Sequence, residues 1–241
     1  MSNHYFQFKQ FTVWHDRCAM KIGTDGVLLG AWAPVEGARR VLDVGTGSGL
    51  IALQMAQRLP EAQIVAIELD PSAAGQATEN FAASPWSERM EVVCGDFAHF
   101  TASPFDLILS NPPYFSHALR NPDASRCMAR HNDTLPYTTL FRQSAALLAP
   151  HGQVCVIVPT EVEHEVMDAA WFSNLRLIHA TRLYTKAGKP CKRLLLAFTP
   201  RSEGEYGLQP FTDELYIHDP DGSYSTGYRQ LTEPFYLNLN R

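Results

Sequence analysis

The chain is short of cysteine, and its five cysteines never form a CxxC pair. Cys18, Cys94, Cys127, Cys155 and Cys191 are scattered and odd in number, which argues against a disulfide framework and against a structural zinc site. No metal is expected, and a reducing cytoplasm is the expected compartment. Long apolar runs are missing as well. No stretch of about 18 apolar residues occurs, so no transmembrane helix is expected. The opening residues, MSNHYFQFKQF, lack the basic-then-apolar pattern of a secretory leader. An excess of positive charge is also absent. Twenty Lys and Arg face 25 Asp and Glu, a formal net charge of −5. The summed charge therefore does not announce a nucleic-acid binder.

What is present suits a folded enzyme. Hydrophobic residues make up 45% of 241 positions, enough for a substantial core in one α/β domain. The expectation is a single domain over 1–241, monomeric, with a preface at 1–40 and a C-terminal extension at 203–241 packed on the same domain. Charge is unevenly placed. Arg182, Lys186, Lys189, Lys192, Arg193 and Arg201 occur without an intervening acid, and Glu203 to Asp221 then carry only acids. Such a block reads either as a phosphate-binding patch or as an ordinary solvated surface. Arg17, Lys21, Arg39 and Arg40 form a second basic set.

After the preface, strand and helix patterns alternate. VLDV (41–44), QIVAIEL (63–69), MEVVCG (90–95), FDLILS (105–110) and QVCVIVP (153–159) read as buried strands. Helical patterns at 50–59, 71–84, 136–150 and 162–174 separate them or follow them. Strands alternating with helices imply a parallel sheet. LRLIHATRLY (175–184) and RLLLAFTP (193–200) have no helix between them and predict an antiparallel hairpin. The fold expected is an α/β, Rossmann-like, seven-stranded mixed sheet closed by that hairpin.

VLDVGTGSGL (41–50) runs from a strand through a glycine-rich turn into a helix. Gly45, Gly47 and Gly49 let backbone approach a ligand closely. The dinucleotide fingerprint wants its third glycine where this chain has Leu50, which disfavours nicotinamide redox chemistry. Asp43 would repel a phosphate but favour a cationic aminoacyl group and a sulfonium; alternatively it braces the loop by accepting backbone N–H groups. Glu68, at the end of the second strand, stands where a carboxylate accepts both ribose hydroxyls of a nucleoside cofactor. Asp70, with Pro71 after it, reads as a helix cap. Asp96 could accept from a cofactor adenine or could cap a turn. These positions converge on a crevice for S-adenosylmethionine.

Asn111-Pro112-Pro113-Tyr114 follows the fourth strand at once. Consecutive prolines stop the strand and stiffen the turn. The Asn111 side-chain oxygen and the residue 112 carbonyl are acceptors suited to the two N–H bonds of a planar amine, and Tyr114 offers a face for stacking a base. His131 reads as a loop or helix-start residue rather than a base.

Taken in order, LDVGTGSG, AIELD, GDF and SNPPY resemble the Rossmann-like amino-methyltransferases. FKQFTVWHDRCAMKIGTDGVLLGAW (8–32), SPWSERMEV (84–92) and YSTGYRQLTEPFYL (224–237) extend the resemblance to the tRNA adenine-N6 methyltransferases acting beside the anticodon, at adenosine 37, of a valine tRNA. That resemblance implies N6-methylation of a tRNA adenine. It implies that Thr24 and Asp25 flank the methionine part of the cofactor, that Asp43, Gly45 and Gly47 line its loop, that Glu68 takes the ribose, that Asp96 and Phe97 lie by the adenine, and that Asn111 to Tyr114 hold the target amine. The residues after Tyr114 depart from the family's pattern. Lys186, Lys189, Lys192, Arg193, Arg17 and Lys21 are the candidate RNA contacts. The NPPY turn is shared with glutamine-N5 enzymes that act on proteins and, as NPPF, with guanine-N2 enzymes, so these remain alternatives, as does a cofactor-dependent RNA-binding module without chemistry.

Overall fold

A computed structural model describes residues 3–113, 135–202 and 208–239. A small hairpin comes first: β1 (Tyr5–Gln7) and β2 (Thr12–Trp14) pair antiparallel. Helix α1 (Thr24–Trp32) follows, then β3 (Arg40–Val44), α2 (Leu50–Arg58), β4 (Gln63–Glu68), α3 (Pro71–Ala82), β5 (Met90–Cys94) and β6 (Phe105–Ser110). Beyond 134 come α4 (Tyr137–Leu147), β7 (Leu148–Pro159), α5 (Glu163–Phe172), β8 (Leu175–Lys186), β9 (Arg193–Pro200), β10 (Phe211–His218) and α6 (Thr226–Thr232).

The main sheet runs β10-β8-β9-β7-β6-β3-β4-β5. Strands β3 to β7 are parallel, while β9 pairs antiparallel with both β7 and β8. The expected terminal hairpin is therefore present. The strand count differs from the expectation, with eight strands in place of seven, because β10 from the tail adds parallel to the outer edge of β8. An open edge leaves a row of unpaired N–H and C=O groups, and β10 satisfies them. Its half-exposed pattern explains why the tail carried no strand signal.

β3 reads as a near-continuous apolar run because four of its five residues are buried from both faces, as a central parallel strand requires. Asp70 caps α3, its side chain accepting from Ser72 N at 2.8 Å with Pro71 in the first turn, as the sequence indicated. Two apolar layers cover the sheet. One joins α1, α2, the preface and the tail, with Phe8, Leu28, Leu53, Met55, Tyr228 and Phe235 in contact. The other gathers Phe105, Leu140, Phe141, Val166 and Phe198 under α4 and α5. Preface and tail meet directly: Phe8 bridges to Tyr236, and Lys9 N donates to the Phe235 carbonyl at 2.8 Å. Among the described residues no helix is long and apolar enough to cross a membrane.

Candidate active site

The carboxyl ends of β3, β4, β5 and β6 converge at one edge of the sheet, and a cavity of about 580 Å³ opens there. Ligands in open α/β sheets bind in this crevice. Gly45, Gly47, Glu68, Asp96, Phe97, Asn111 and Pro113 line it, so residues spread over 69 sequence positions share one wall. Val44 and Ile67 add apolar surface, and Leu135, Pro136 and Thr139 add the approach to α4.

The glycine loop is left-handed at all three glycines, with φ of +69° at Gly45, +56° at Gly47 and +85° at Gly49. A β-carbon at Gly45 or Gly47 would meet nothing within 4 Å, so both present bare backbone to open space. Gly49 has a different reason. A β-carbon there would lie 2.5 Å from the Phe81 ring, so this glycine serves the packing of α3 against the loop. Buried Asn80 stitches the same region, donating to the carbonyls of Ser48 and Trp14 and accepting from Trp14 N. Nothing in the sequence marked Asn80 out.

Asp43 lies fully buried beneath the loop and is not on the cavity wall. Its Oδ2 accepts from Thr46 Oγ1 at 2.5 Å and Ala52 N at 3.1 Å, which is the loop-bracing arrangement. Its Oδ1 has no partner among the described residues. Burial pushes its pKa up to about 7, against the lowering effect of those hydrogen bonds, and nearby Glu68 adds to the rise. Glu68 is held from both sides: Oε2 accepts from Gly47 N at 2.8 Å and Oε1 from Asp70 N at 3.0 Å. Each carboxylate oxygen keeps a lone pair for a further donor. Asp96 caps the short turn Phe97–His99, accepting from Ala98 N at 2.8 Å and meeting His99 Nδ1 at 2.9 Å. The Ala98 bond, helped by His99, holds its carboxyl below the usual range, so it remains an anionic acceptor at the rim. Cys18, Ala19 and Met20 also line the cavity, which the sequence reading missed. Burial pushes the Cys18 thiol up to about 11, so it stays protonated at neutral pH.

Asn111 follows the last residue of β6 and lines the cavity. Its Oδ1 is buried and has no hydrogen-bond partner among the described residues. A buried unsatisfied acceptor costs about 1–3 kcal/mol, so such an atom at a cavity is a candidate ligand contact. Ser110 anchors the turn, its Oγ donating to the Val44 carbonyl at 2.9 Å across the β3–β6 seam. Pro112 is buried and Pro113 exposed. Tyr114 and His131 lie outside the described residues. Thr24 and Asp25 do not line the cavity: they open α1, and Arg193 Nε donates to Asp25 Oδ2 at 2.8 Å.

The basic positions divide. The start of β9 pairs with the carboxyl end of β7, Arg193 with Pro159, which puts the hairpin tip on the same edge as Asn111. With order β8-β9-β7-β6 and about 4.8 Å per strand step, the tip is roughly 10–14 Å across the sheet from the end of β6. Lys189 and Lys192 are exposed at this tip. Lys186 instead donates to the Pro220 carbonyl at 2.5 Å, and Arg182 pairs with Glu163 at 3.0 Å. Arg201 stacks over Trp171 and donates to its carbonyl. Arg17 bonds Gln76 and Glu79 on α3, while Lys21 is exposed. Arg39 and Arg40 lie at the amino end of β3, the opposite edge, so the second basic set is not one cluster. The acids of β10 pair alongside β8, Glu214 opposite Arg182, and offset part of the basic block. Among the described residues no group of three or more His, Cys, Asp or Glu is placed to hold a metal.

Comparison with known proteins places the family and the fold. The methyltransferase small domain model matches residues 22–185. A tRNA1(Val) (adenine(37)-N6)-methyltransferase of Bacteroides thetaiotaomicron is 52% identical over 242 residues, covering 99% of this chain and 100% of that one. Its namesake in Aeromonas hydrophila is 49% identical, covering 98% and 99%. Among solved structures, a predicted O-methyltransferase from Agrobacterium tumefaciens superposes with a TM-score of 0.66 at 19% identity, over 88% of this chain and 96% of that one. The glycopeptide N-methyltransferase MtfA, complexed with (S)-adenosyl-L-methionine, reaches 0.55 at 14% identity, over 76% and 90%. At such identities these structures establish the fold alone.

Proposed function

Because this chain belongs to the tRNA1(Val) (adenine(37)-N6)-methyltransferase family, we propose that it transfers a methyl group from S-adenosylmethionine to N6 of adenosine 37 in that tRNA. The observation that carries the assignment to these residues is the buried Asn111 Oδ1, without a partner among the described residues, beside a cavity floored by bare glycine backbone. The residues suit the cofactor. Glu68, with both oxygens oriented by backbone N–H groups, would take the ribose hydroxyls. Asp96 and Phe97 would meet the adenine, and Gly45 and Gly47 would leave room for the aminoacyl portion. When bound, S-adenosylmethionine supplies an electrophilic methyl group.

The chain's own part is binding, orientation and desolvation. Asn111 Oδ1 accepts one N–H of the target amine and the Pro112 carbonyl accepts the other, which aims the nitrogen lone pair into the cavity. Tyr114 stacks on the base, which must leave its own stack to reach the pocket. Asn111 is an acceptor and not a base, so the proton shed by the amine passes to water. Lys189 and Lys192 meet tRNA phosphates at the rim, and the chain acts as a monomer.

Incubating the protein with labelled cofactor and total tRNA, then analysing the nucleosides by mass, tests this reading. N6-methyladenosine in a single valine tRNA is the expected product. Label in guanosine, or in protein glutamine with none in tRNA, would overturn it.

A further inference from the structure

Arg193 stands in the basic block that suggested phosphate contacts, but its side chain is engaged inward. Nε donates to Asp25 Oδ2 at 2.8 Å and Nη1 donates to the Lys192 carbonyl at 2.9 Å. The two paired side chains are only 24% and 22% exposed. Asp25 belongs to the first turn of α1. The next residue, Gly26, faces the catalytic turn: a β-carbon built there would lie 4.0 Å from Asn111 Nδ2 and 3.1 Å from Leu50 Cδ2. The first turn of α1 thus faces the Asn111 carboxamide across the space a side chain at position 26 would fill, and the base of the β8–β9 hairpin fastens that turn.

From this row of contacts we infer that Arg193 is a positioning residue for Asn111, acting through Asp25 and the start of α1 and not through tRNA phosphates. The inference rests on the reading of Asn111 as the acceptor for the target amine. A carboxamide can present oxygen or nitrogen to the same point by turning over, and only oxygen accepts an N–H bond. Asn111 Nδ2 lies on the side of α1, so moving the first turn of α1 changes the space in which the carboxamide can turn. Partly buried charge pairs hold such a turn better than exposed ones, since water screens them less. Lys189 and Lys192, being exposed, retain the phosphate role.

The test uses the full-length Arg193→Ala and Arg193→Lys proteins with three readouts. Single-turnover methylation at saturating tRNA and cofactor should fall about 10- to 100-fold in Arg193→Ala, the range for slight misplacement of a reacting group, and recover in part in Arg193→Lys. The salt dependence of tRNA binding should match the parent. In protein without substrate, the Asn111 side-chain amide resonance, identified by its loss in Asn111→Ala, should shift in Arg193→Ala and return toward the parent position in Arg193→Lys. Parent-like rate at saturation with a salt slope lowered by roughly 0.9, one phosphate contact, would overturn the inference. An unmoved amide resonance would overturn it as well. A parent protein that methylates no tRNA would refute the substrate reading instead, and the amide resonance would still decide the positioning role.

Discussion

Replacing Asn111 by alanine separates a functional acceptor from a structural one, because the two roles predict opposite changes in stability. Asn111 Oδ1 is buried with no partner among the described residues, so its removal breaks no oxygen-centred bond. Leaving such an acceptor unsatisfied costs the folded state about 1–3 kcal/mol, which the variant no longer bears. Against this stands the space left by the carboxamide. At about 24 cal/mol per Å³, with roughly 40 Å³ removed, that costs on the order of 1 kcal/mol. The expected net effect on unfolding is therefore near zero to about 2 kcal/mol of added stability. The rate moves the other way. Loss of one oriented hydrogen bond in a site shielded from water lowers turnover by about 10²–10³, or roughly 2.7–4 kcal/mol of transition-state stabilisation. Denaturant unfolding gives the first quantity and single-turnover methylation of tRNA gives the second. Asn111→Asp, which keeps an acceptor but adds charge in a buried place, is expected to be faster than Asn111→Ala and slower than the parent. An Asn111→Ala protein as fast as the parent would refute the reasoning. A variant losing more than about 1 kcal/mol of stability would show that the oxygen has a structural partner after all.

Glu68→Ala should weaken S-adenosylmethionine binding by about 1.5–3 kcal/mol, the scale of lost charge-assisted hydrogen bonds, and calorimetric titration would detect unchanged affinity if the ribose binds elsewhere. Reversing charge at Lys189 and Lys192 together should weaken tRNA binding and flatten its salt dependence by about 0.9 per lost phosphate contact, while a parent-like slope would remove the hairpin tip from the interface. Asp43 makes a prediction in pH. Its pKa rises on folding from an ordinary 3.8 to about 7, so between those values the folded state holds a proton the unfolded state has lost. Its contribution to stability is therefore present below about pH 4 and disappears as pH rises through 7, by up to about 4 kcal/mol. Asp43→Asn should lack this slope in pH-dependent unfolding, and a variant with the parent's slope would assign the titration to another group.

The sequence by itself determined the parallel layers and the main cofactor wall. Buried strands such as VLDV and FDLILS are apolar on both faces, and glycine, proline and acid positions at their carboxyl ends are local signals that survive without knowledge of neighbours. Gly45, Gly47, Glu68, Asp96 and Asn111 were legible for that reason, and the structure brings all five to one cavity. Roles that depend on a partner far along the chain were not legible. For Asp43 the sequence left two readings, a cofactor contact or a loop brace, and burial against Thr46 and Ala52 where β3 meets α2 supplied the brace. Arg193 looked like surface charge until folding set it against Asp25, 168 positions earlier. The basic block likewise changed character when Arg182 paired with Glu163 and Lys186 was tied to the Pro220 carbonyl. β10 stayed hidden because an edge strand buries little, and only the open side of β8 gives it a reason to form. A local pattern records what each segment needs to bury, whereas the partner of a charge or an open strand edge depends on which distant segments the packed sheet brings beside it.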